Sequence, residues 1–346
     1  MRLRMEWTRL ERLRDLFLRG DKSQDYWRDD GDLAAYDEVF ARRIGWKWDS
    51  VLRELVSRGY SPGPRHLIDW GCGSGAASRS WLENFAAEGW GAEFWDRSPL
   101  ARSFASRSAR SIEPTLAVSD CVRDPLFGEN SKAPESVVLL SHVVNEIPPP
   151  ELARLLLALG RAAEIIWVEP GSKEESRRLG EIRGKLLATH KVLGPCLHEE
   201  RCPLLKDGRE DDWCHSFSDP PTEAFTTGFW AEASRRLGFD VRSLPFCYIA
   251  MRRRDLADAA AREPTVTSGR AGRVLGTPRL SKGFARVQIC FEDGKVEDLR
   301  LQKRSDKALF KAVEKGLEES PYLALVTEGD EVLSGRRLMD KDEAST

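Results

Sequence analysis

The stretch that decides the fold is HLIDWGCGSGAAS, residues 66–78. It opens with a short apolar run, residues 66–68, which predicts a buried strand, and a glycine loop follows. From the loop to about Phe85, the small and apolar residues predict a helix. A strand, a glycine loop and a helix in this order are typical of the first unit of a Rossmann-like sheet. Glycine lets such a loop turn sharply and lets a ligand lie against bare backbone.

The loop has the spacing GxGxG, and Asp69 stands two residues before its first glycine. This variant is commoner in S-adenosylmethionine (SAM) sites than in dinucleotide sites. We therefore expect Asp69, Gly71, Gly73 and Gly75 to lie at a bound SAM. A tight turn in some other α/β domain is the alternative.

Polar residues follow the next predicted strands. A strand at 91–96 ends in Asp96, 25 residues after Gly71, where a Rossmann-like fold places the carboxylate that binds ribose hydroxyls. The alternative is an aspartate that only starts a turn. Because ligands of open α/β sheets bind at the carboxyl ends of strands, we also expect Asp120 and His142 at the cofactor. They follow predicted strands at 115–118 and 136–141, and a fifth strand is predicted at 164–168.

Three of the seven cysteines cluster in a polar segment that follows a predicted helix. They are Cys196, Cys202 and Cys214, and His198 and His215 lie beside them. Clustered cysteines in a chain that we expect to be cytosolic favour a metal over disulfides. Zinc would accept three cysteines and a histidine, whereas an iron–sulfur cluster would need a fourth cysteine, Cys247 or Cys290. Three unconnected cysteines are the alternative.

The composition is that of a globular chain of 346 residues, with 41% hydrophobic and 32% charged residues and a net charge of −2. Any nucleic-acid surface must therefore be a local patch. No apolar run approaches the length of a membrane span, so we expect no membrane partner. The N-terminal segment is arginine-rich, but Glu6, Glu11 and Asp15 are atypical of a mitochondrial transit peptide. We expect a cytoplasmic monomer.

We expect a helical N-terminal cap at 1–60 and a SAM-binding domain at 61–254, with a cysteine-rich insert at 190–218. A linker at 255–273, a small basic β-hairpin and helix domain at 274–320, and a polar tail at 321–346 would follow. The cap helix would be structural, with substrate contact by Arg42 and Arg43 as the alternative.

The predicted hairpin has strands at 284–291 and 296–301, joined at Asp293-Gly294. Residues 270–311 contain eleven basic and five acidic residues. This excess favours a phosphate-binding patch that includes Lys303 and Arg304. An ordinary solvated surface is the alternative.

Several motifs together resemble those of a known family. They are the glycine loop, Glu169-Pro170-Gly171, GPCLHEERCPL (194–204), DWCHSF (212–217) and CFEDGKVE (290–297). Over about residues 30–316, the chain resembles the methyltransferase-like assembly factors of the mitochondrial small ribosomal subunit and their bacterial relatives.

The resemblance implies an α/β fold with the Rossmann-like sheet of class I SAM-dependent methyltransferases. It also implies a [4Fe-4S] cluster, whose ligands by position would be Cys196, Cys202, Cys214 and Cys290. The partner it implies is small-subunit rRNA, in ribosome assembly or translation. It carries over no catalytic residue.

Three functions follow from these expectations. The first is a SAM-dependent methyltransferase acting on rRNA, since in-line methyl transfer needs mainly positioning of donor and acceptor. The second is an rRNA-binding assembly factor that keeps the methyltransferase fold without turnover. The third is a zinc-containing small-molecule methyltransferase, which would need no basic patch.

Overall fold

The structure, a computed structural model, describes residues 6–19, 26–119, 121–259, 266, 268–317 and 320–338. The chain forms two compact units. The first contains residues 1–52, 62–169 and 218–244, and the second contains residues 53–61, 170–217 and 245–346. This division differs from the boundaries expected from sequence, which kept 61–254 together. Segments 170–217 and 245–254 belong instead to the unit that contains the C-terminal strands.

The helices are α1 (Trp7–Arg19), α2 (Asp30–Tyr36), α3 (Arg42–Ser57), α4 (Ala76–Phe85), α5 (Pro99–Ile112), α6 (Pro149–Leu159), α7 (Lys173–Leu186), α8 (Glu223–Thr226), α9 (Gly228–Leu237) and α10 (Lys307–Lys315). The strands are β1 (His66–Trp70), β2 (Gly91–Trp95), β3 (Ala117–Ser119), β4 (Val137–Ser141), β5 (Glu164–Pro170), β6 (His190–Gly194), β7 (Ser216–Phe217), β8 (Pro245–Arg253), β9 (Arg270–Ser281), β10 (Phe284–Phe291), β11 (Val296–Gln302), β12 (Tyr322–Glu328) and β13 (Glu331–Arg337).

The sheet of the first unit is parallel, in the order β3-β2-β1-β4-β5. This order, with α4, α5 and α6 following β1, β2 and β4, is that of a Rossmann-like fold. Strand β4 is apolar at four successive positions, all buried, as is typical of a strand covered on both faces. The α/β class predicted from sequence is confirmed. In this sheet the carboxyl ends of β1, β2 and β4 lie side by side.

In the second unit, β8 pairs antiparallel with both β6 and β7. The cysteine-rich insert expected at 190–218 therefore contains a strand at each end. Residues 190–194 form β6, and residues 216–217 form β7. The cysteine segment is held at each end by the same strand.

The five C-terminal strands close into a barrel in the order β10-β11-β13-β12-β9. The predicted hairpin is present as β10 and β11, but it is only part of this barrel. Strand β9 begins at Arg270, inside the predicted linker, and the predicted tail contains β12 and β13. Closure pairs the edges that a lone hairpin would expose. It also buries one apolar core: Val274, Ala285, Val287, Ile289, Phe291, Leu299, Leu301, Leu309, Phe310, Val313, Leu317, Leu323, Leu325 and Val332.

Candidate functional site

The glycine loop has the backbone conformation that its sequence demands. Gly71, Gly73 and Gly75 have φ angles of +73°, +51° and +83°, in the left-handed region that favours glycine. A Cβ on Gly71 would lie 2.6 Å from Cγ1 of Val143, so packing also requires glycine there. A Cβ on Gly73 would meet no atom within 4 Å. The loop therefore leaves open space in front of Gly73.

That space belongs to a cleft of about 370 Å³ in the first unit, at the carboxyl ends of β1, β2 and β4. Four of the predicted cofactor residues line it: Gly71, Gly73, Asp96 and His142. The stacked rings of Trp70 and Trp95, with centroids 5.1 Å apart, also contribute. The cleft lies where open α/β sheets bind their ligands.

Asp96 connects β2 to the glycine loop. Its Oδ2 accepts a hydrogen bond from the Gly73 N–H at 3.0 Å, and its Oδ1 accepts one from the Ser98 N–H at 3.0 Å. Each carboxylate oxygen has a second lone pair. Asp96 therefore holds the loop and can still accept hydrogen bonds from ligand hydroxyls.

The other predicted cofactor residues lie elsewhere. Asp69 is fully buried and is not part of the cleft wall. Burial raises the pKa of its carboxyl to about 6, an effect that the neighbouring hydroxyl of Ser78 opposes. Gly75 precedes α4 and packs against Ala105 of α5. Asp120 lies outside the described residues.

His142 follows β4 with a φ of +56°, a left-handed conformation that non-glycine residues rarely adopt. Its Nε2 lies 3.2 Å from Nζ of Lys47, and its Nδ1 lies 3.2 Å from Oγ of Ser141. Burial, and then the charges of Lys47 and Arg43, hold the pKa of His142 well below its ordinary value. The imidazole is therefore neutral, and both of its nitrogens contact groups of the chain.

Sequence reasoning missed a second wall of the cleft. It consists of aromatic residues from the N-terminal region: Phe17, Tyr26, Trp27 and Tyr36. Burial, and then the charge of Glu146, raise the pKa of Tyr26 to about 12. The density of aromatic residues in this otherwise charged segment was the available signal.

Arg42 and Arg43, the residues suggested from sequence for substrate contact, do not line the cleft. Arg42 lies 3.8 Å from Glu223, and the Arg43 guanidinium lies 3.8 Å from the ring centroid of Phe239.

The second unit contains a separate cavity of about 50 Å³, large enough for more than one water-sized occupant. The four predicted ligands line it: Cys196, Cys202, Cys214 and Cys290. Cys247 lines it as well, but its Sγ lies 3.3 Å from the Pro170 carbonyl oxygen, to which it donates a hydrogen bond. The structure thus brings together cysteines that are far apart in sequence.

The thiols of this cavity influence one another. Burial raises the pKa of Cys202 to about 12, and the thiols of Cys196 and Cys214 add to the shift. Burial likewise raises the pKa of Cys290, with contributions from the same two thiols and from Cys202. Metal binding requires thiolates, so it would release protons here.

Among the described residues, no group of three or more Cys, His, Asp or Glu side chains is arranged to hold a metal ion. Of the two histidines beside the cysteines, His198 lines the cavity, with its Nε2 3.5 Å from Sγ of Cys290. The ring of His215 instead stacks on Trp213, with centroids 5.1 Å apart.

Helix α7 holds the cysteine segment by hydrogen bonds to its backbone. The buried Arg183 donates to the carbonyl oxygens of His198 and Glu200, the latter at 2.8 Å. Arg177 donates to the Leu204 carbonyl oxygen at 2.7 Å, and Ser176 to that of Cys214. Side chains of the chain itself therefore fix this segment.

Arg273 of β9 is a cation in direct contact with one of these thiols. It is buried, and its Nη1 donates to Sγ of Cys214 at 3.1 Å. Burial raises the pKa of Cys214, and the charge of Arg273 opposes that effect. This arginine would stabilise a thiolate at Cys214.

Lys303 and Arg304, the predicted RNA-binding residues, are both exposed after β11. The Lys303 Nζ lies 5.2 Å from the ring centroid of Phe310. None of the described helices is long and apolar enough to cross a membrane.

The family model described as "Mitochondrial small ribosomal subunit Rsm22" matches residues 47–317. The chain belongs to this family. That membership confirms the resemblance drawn from the cysteine and hairpin motifs. No curated protein matches the chain.

Solved structures with similar folds include two methyltransferases. One is a magnesium protoporphyrin IX methyltransferase from Synechocystis PCC 6803 with bound SAH. It is 15% identical, the match covers 69% of this chain and 92% of that one, and the TM-score is 0.37. The other is a SAM-dependent methyltransferase from Geobacter sulfurreducens in complex with S-adenosyl-L-homocysteine, at 14% identity, 60% and 91% coverage and a TM-score of 0.35. With scores this low, the fold assignment rests on the strand order itself.

Proposed function

We propose that this member of the Rsm22 family binds SAM in the cleft of its first unit and methylates small-subunit rRNA. The observation that carries the proposal is the cleft itself, at the carboxyl ends of parallel strands and lined by Gly71, Gly73 and Asp96. The space in front of Gly73 would admit the cofactor against bare backbone. Asp69 and Gly75 would support the loop from behind, and the assignment of Asp120 stays a prediction.

SAM, when bound, supplies the activated methyl group. The chain would contribute mainly the positioning of the reactants. Asp96 would accept hydrogen bonds from the ribose hydroxyls, and the aromatic wall of Phe17, Tyr26, Trp27 and Tyr36 would exclude water. His142 would shape the floor of the cleft, because both of its nitrogens already contact Lys47 and Ser141. We assign no catalytic base.

The engaged imidazole of His142 also favours the second candidate, an rRNA-binding assembly factor without turnover. Transfer of a radiolabelled methyl group from SAM to immature small-subunit particles separates the two candidates. Labelled rRNA supports the enzyme. SAM binding without label supports the assembly factor.

We further propose that Cys196, Cys202, Cys214 and Cys290 hold a [4Fe-4S] cluster. Four cysteines around one cavity supply the thiolate set that such a cluster takes, one for each iron. The alternative, a zinc ion held by three cysteines and a histidine, would use His198, which lies beside Cys290. Cytoplasmic location and a monomeric state stay predictions, checked by fractionation and light scattering.

Isothermal titration calorimetry with SAM tests the cleft. Asp96→Ala should weaken SAM binding at least tenfold, because it removes both the ribose acceptor and the anchor of Gly73. Asp219→Ala removes an exposed aspartate of the same unit and should leave SAM affinity unchanged. Equal SAM affinity for Asp96→Ala and wild type would refute the ribose assignment.

Iron, sulfide and zinc analysis of anaerobically purified protein tests the cavity. Wild type should contain about four iron and four sulfide per chain. Cys290→Ser should lose most of both, whereas Cys247→Ser should keep them, because that thiol already bonds the Pro170 carbonyl. One zinc per chain and no sulfide would establish the alternative.

A further inference from the structure

The C-terminal barrel has a recognisable order. Counted along the chain, β9 to β13 are its first to fifth strands, and they close in the order 1-2-3-5-4. The third and fifth strands, β11 and β13, pair in parallel, and α10 lies between the third and fourth strands. A five-stranded Greek-key barrel of this kind is an OB-fold, whose second and third strands commonly bind oligonucleotides.

A row of arginines crosses the corresponding strands here. Arg286 of β10 pairs in register with Arg279 of β9 on one side and with Arg300 of β11 on the other. Residues paired directly across an antiparallel ladder point to the same face of the sheet. Like charges in such positions destabilise a sheet. The row of arginines therefore lowers the stability of the sheet unless an anion binds to it.

The chain neutralises little of this charge. Arg300 lies 3.4 Å from Glu331, but within the described ranges neither Arg279 nor Arg286 forms an ion pair. Both are exposed, as is Lys282 in the β9–β10 turn. The Lys303 N–H donates to the Gly283 carbonyl oxygen at 2.9 Å, which places Lys303 at the same turn.

An aromatic ring lies beside these cations. Phe284, at the start of β10, is half-buried and alternates with the inward-facing Ala285. The Arg300 guanidinium lies 4.5 Å from its ring centroid. In single-strand-binding proteins, bases stack on aromatic rings of this kind while cations follow the phosphates.

We propose that the exposed end of the outer face of β9, β10 and β11, around Arg279, Phe284 and Arg286, binds single-stranded RNA; the other end of that face, at Arg273 and Cys290, lines the cysteine cavity. Arg279 and Arg286 contact successive phosphates, Phe284 stacks on a base, and Lys303 and Arg304 extend the track past the β9–β10 turn. The choice of RNA rests on the proposed function in the small subunit. The site itself requires neither SAM nor a metal.

Fluorescence anisotropy with the full-length protein and a labelled twelve-nucleotide single-stranded RNA tests this site. The double variant Arg279→Gln/Arg286→Gln should bind at least tenfold more weakly. Its plot of log affinity against log salt should be less steep by about 1.4, or roughly 0.7 for each lost phosphate contact. Phe284→Leu should weaken binding by about fivefold or more without changing that slope.

Arg110→Gln is the matched control, because Arg110 is an exposed arginine at the end of α5 in the first unit. It should bind RNA as wild type does. Wild-type affinity and slope in the double variant would overturn the site. Equally tight binding of a twelve-base-pair duplex, equally weakened by the variants, would show that the surface does not select single strands.

SAM calorimetry on the same variants separates this site from the cleft. If SAM binds but the barrel variants leave RNA affinity unchanged, the barrel site fails and the proposed function stands. If the barrel variants weaken RNA binding while wild type shows no SAM binding, the barrel site stands and the proposed cofactor fails. Thermal melting of each variant must match wild type within a few degrees.

Discussion

The cleft of the first unit is shaped mainly by backbone conformation, whereas the cavity of the second is shaped mainly by side chains. The glycine loop that shapes the cleft lies within residues 66–78, and its shape comes from positive φ angles at Gly71, Gly73 and Gly75. The cysteine cavity collects residues from α7, the 195–214 segment, β8, β9 and β10. Its shape comes from side chains such as Arg183 that bond distant carbonyls. We therefore expect the glycine loop to tolerate change in its surroundings better than the cysteine cavity, which depends on a few buried donors.

The largest expected effect is a loss of folding stability when the Arg183 guanidinium is removed from the cysteine cavity. Arg183→Met removes two charged hydrogen bonds, to the carbonyl oxygens of the buried His198 and of Glu200, and should lower the free energy of unfolding by about 2–4 kcal/mol. The measurement is urea denaturation of the purified protein. Lys185→Met, an exposed change on the same helix, should stay within about 0.5 kcal/mol of wild type. If Arg183→Met weakened SAM binding as much as it weakened folding, the contrast between the two sites would be wrong.

The next effect concerns the buried carboxyl beneath the glycine loop. The pKa of Asp69 is about 6 when folded and 3.8 in a model peptide, so the folded state binds more protons between these values. The contribution of Asp69 to the stability of wild type therefore falls as pH rises through this window, by about 3 kcal/mol in all. Asp69→Asn does not titrate and should gain that much relative to wild type between pH 4 and pH 7. A stability difference independent of pH would contradict the assignment.

A smaller effect, on SAM affinity, is expected when a side chain fills the space in front of Gly73. Gly73→Ala should weaken SAM binding about tenfold, because its Cβ enters the cleft. Gly89→Ala is the control: Gly89 also has a positive φ, +89°, and a Cβ there also meets no atom within 4 Å. Both variants therefore share the backbone cost of about 1 kcal/mol. Only Gly73→Ala should change SAM affinity, as measured by calorimetry, and equal SAM affinities for the two variants would refute the role of the space.

The smallest effect should have the opposite sign. Gly180 lies in α7 beside the cysteine segment, and a Cβ there would be 3.5 Å from Cδ1 of Leu205, an ordinary contact. Gly180→Ala should therefore raise the free energy of unfolding by up to about 1 kcal/mol through helix propensity alone. A loss of stability in urea denaturation would show that the cavity wall is tighter than these distances indicate.

Sequence reasoning found the elements whose signals are local. The strand, loop and helix around Gly73 were predicted within two residues, because one contiguous segment encodes them. The hairpin of β10 and β11 was found because its strands alternate around Asp293-Gly294. Asp96 was placed in the cleft by its distance from the loop along the chain.

The features that were missed depend on pairings across long stretches of chain. Strand β13 reads EVLSGRR, which is polar, and its pairing with β11 arises only when the barrel closes. Strand β12 begins with the apolar run YLALV, which was nevertheless included in the predicted polar tail at 321–346. The arginine row at Arg286 depends on the register of three strands, which composition does not encode. The hydrogen bonds of Arg183 likewise have no signature in the helix that carries it.

The placement of Cys290 on the second strand of the barrel has a consequence for synthesis. Cys290 follows Cys214 by 76 residues, since 290 − 214 = 76. At roughly 5–20 residues per second, it leaves the ribosome about 4–15 s after Cys214. All residues of the first unit, which ends at 244, precede it. For those seconds the cysteine cavity still lacks one wall, so the earlier thiols meet the reductants and oxidants of the cell before their partner arrives.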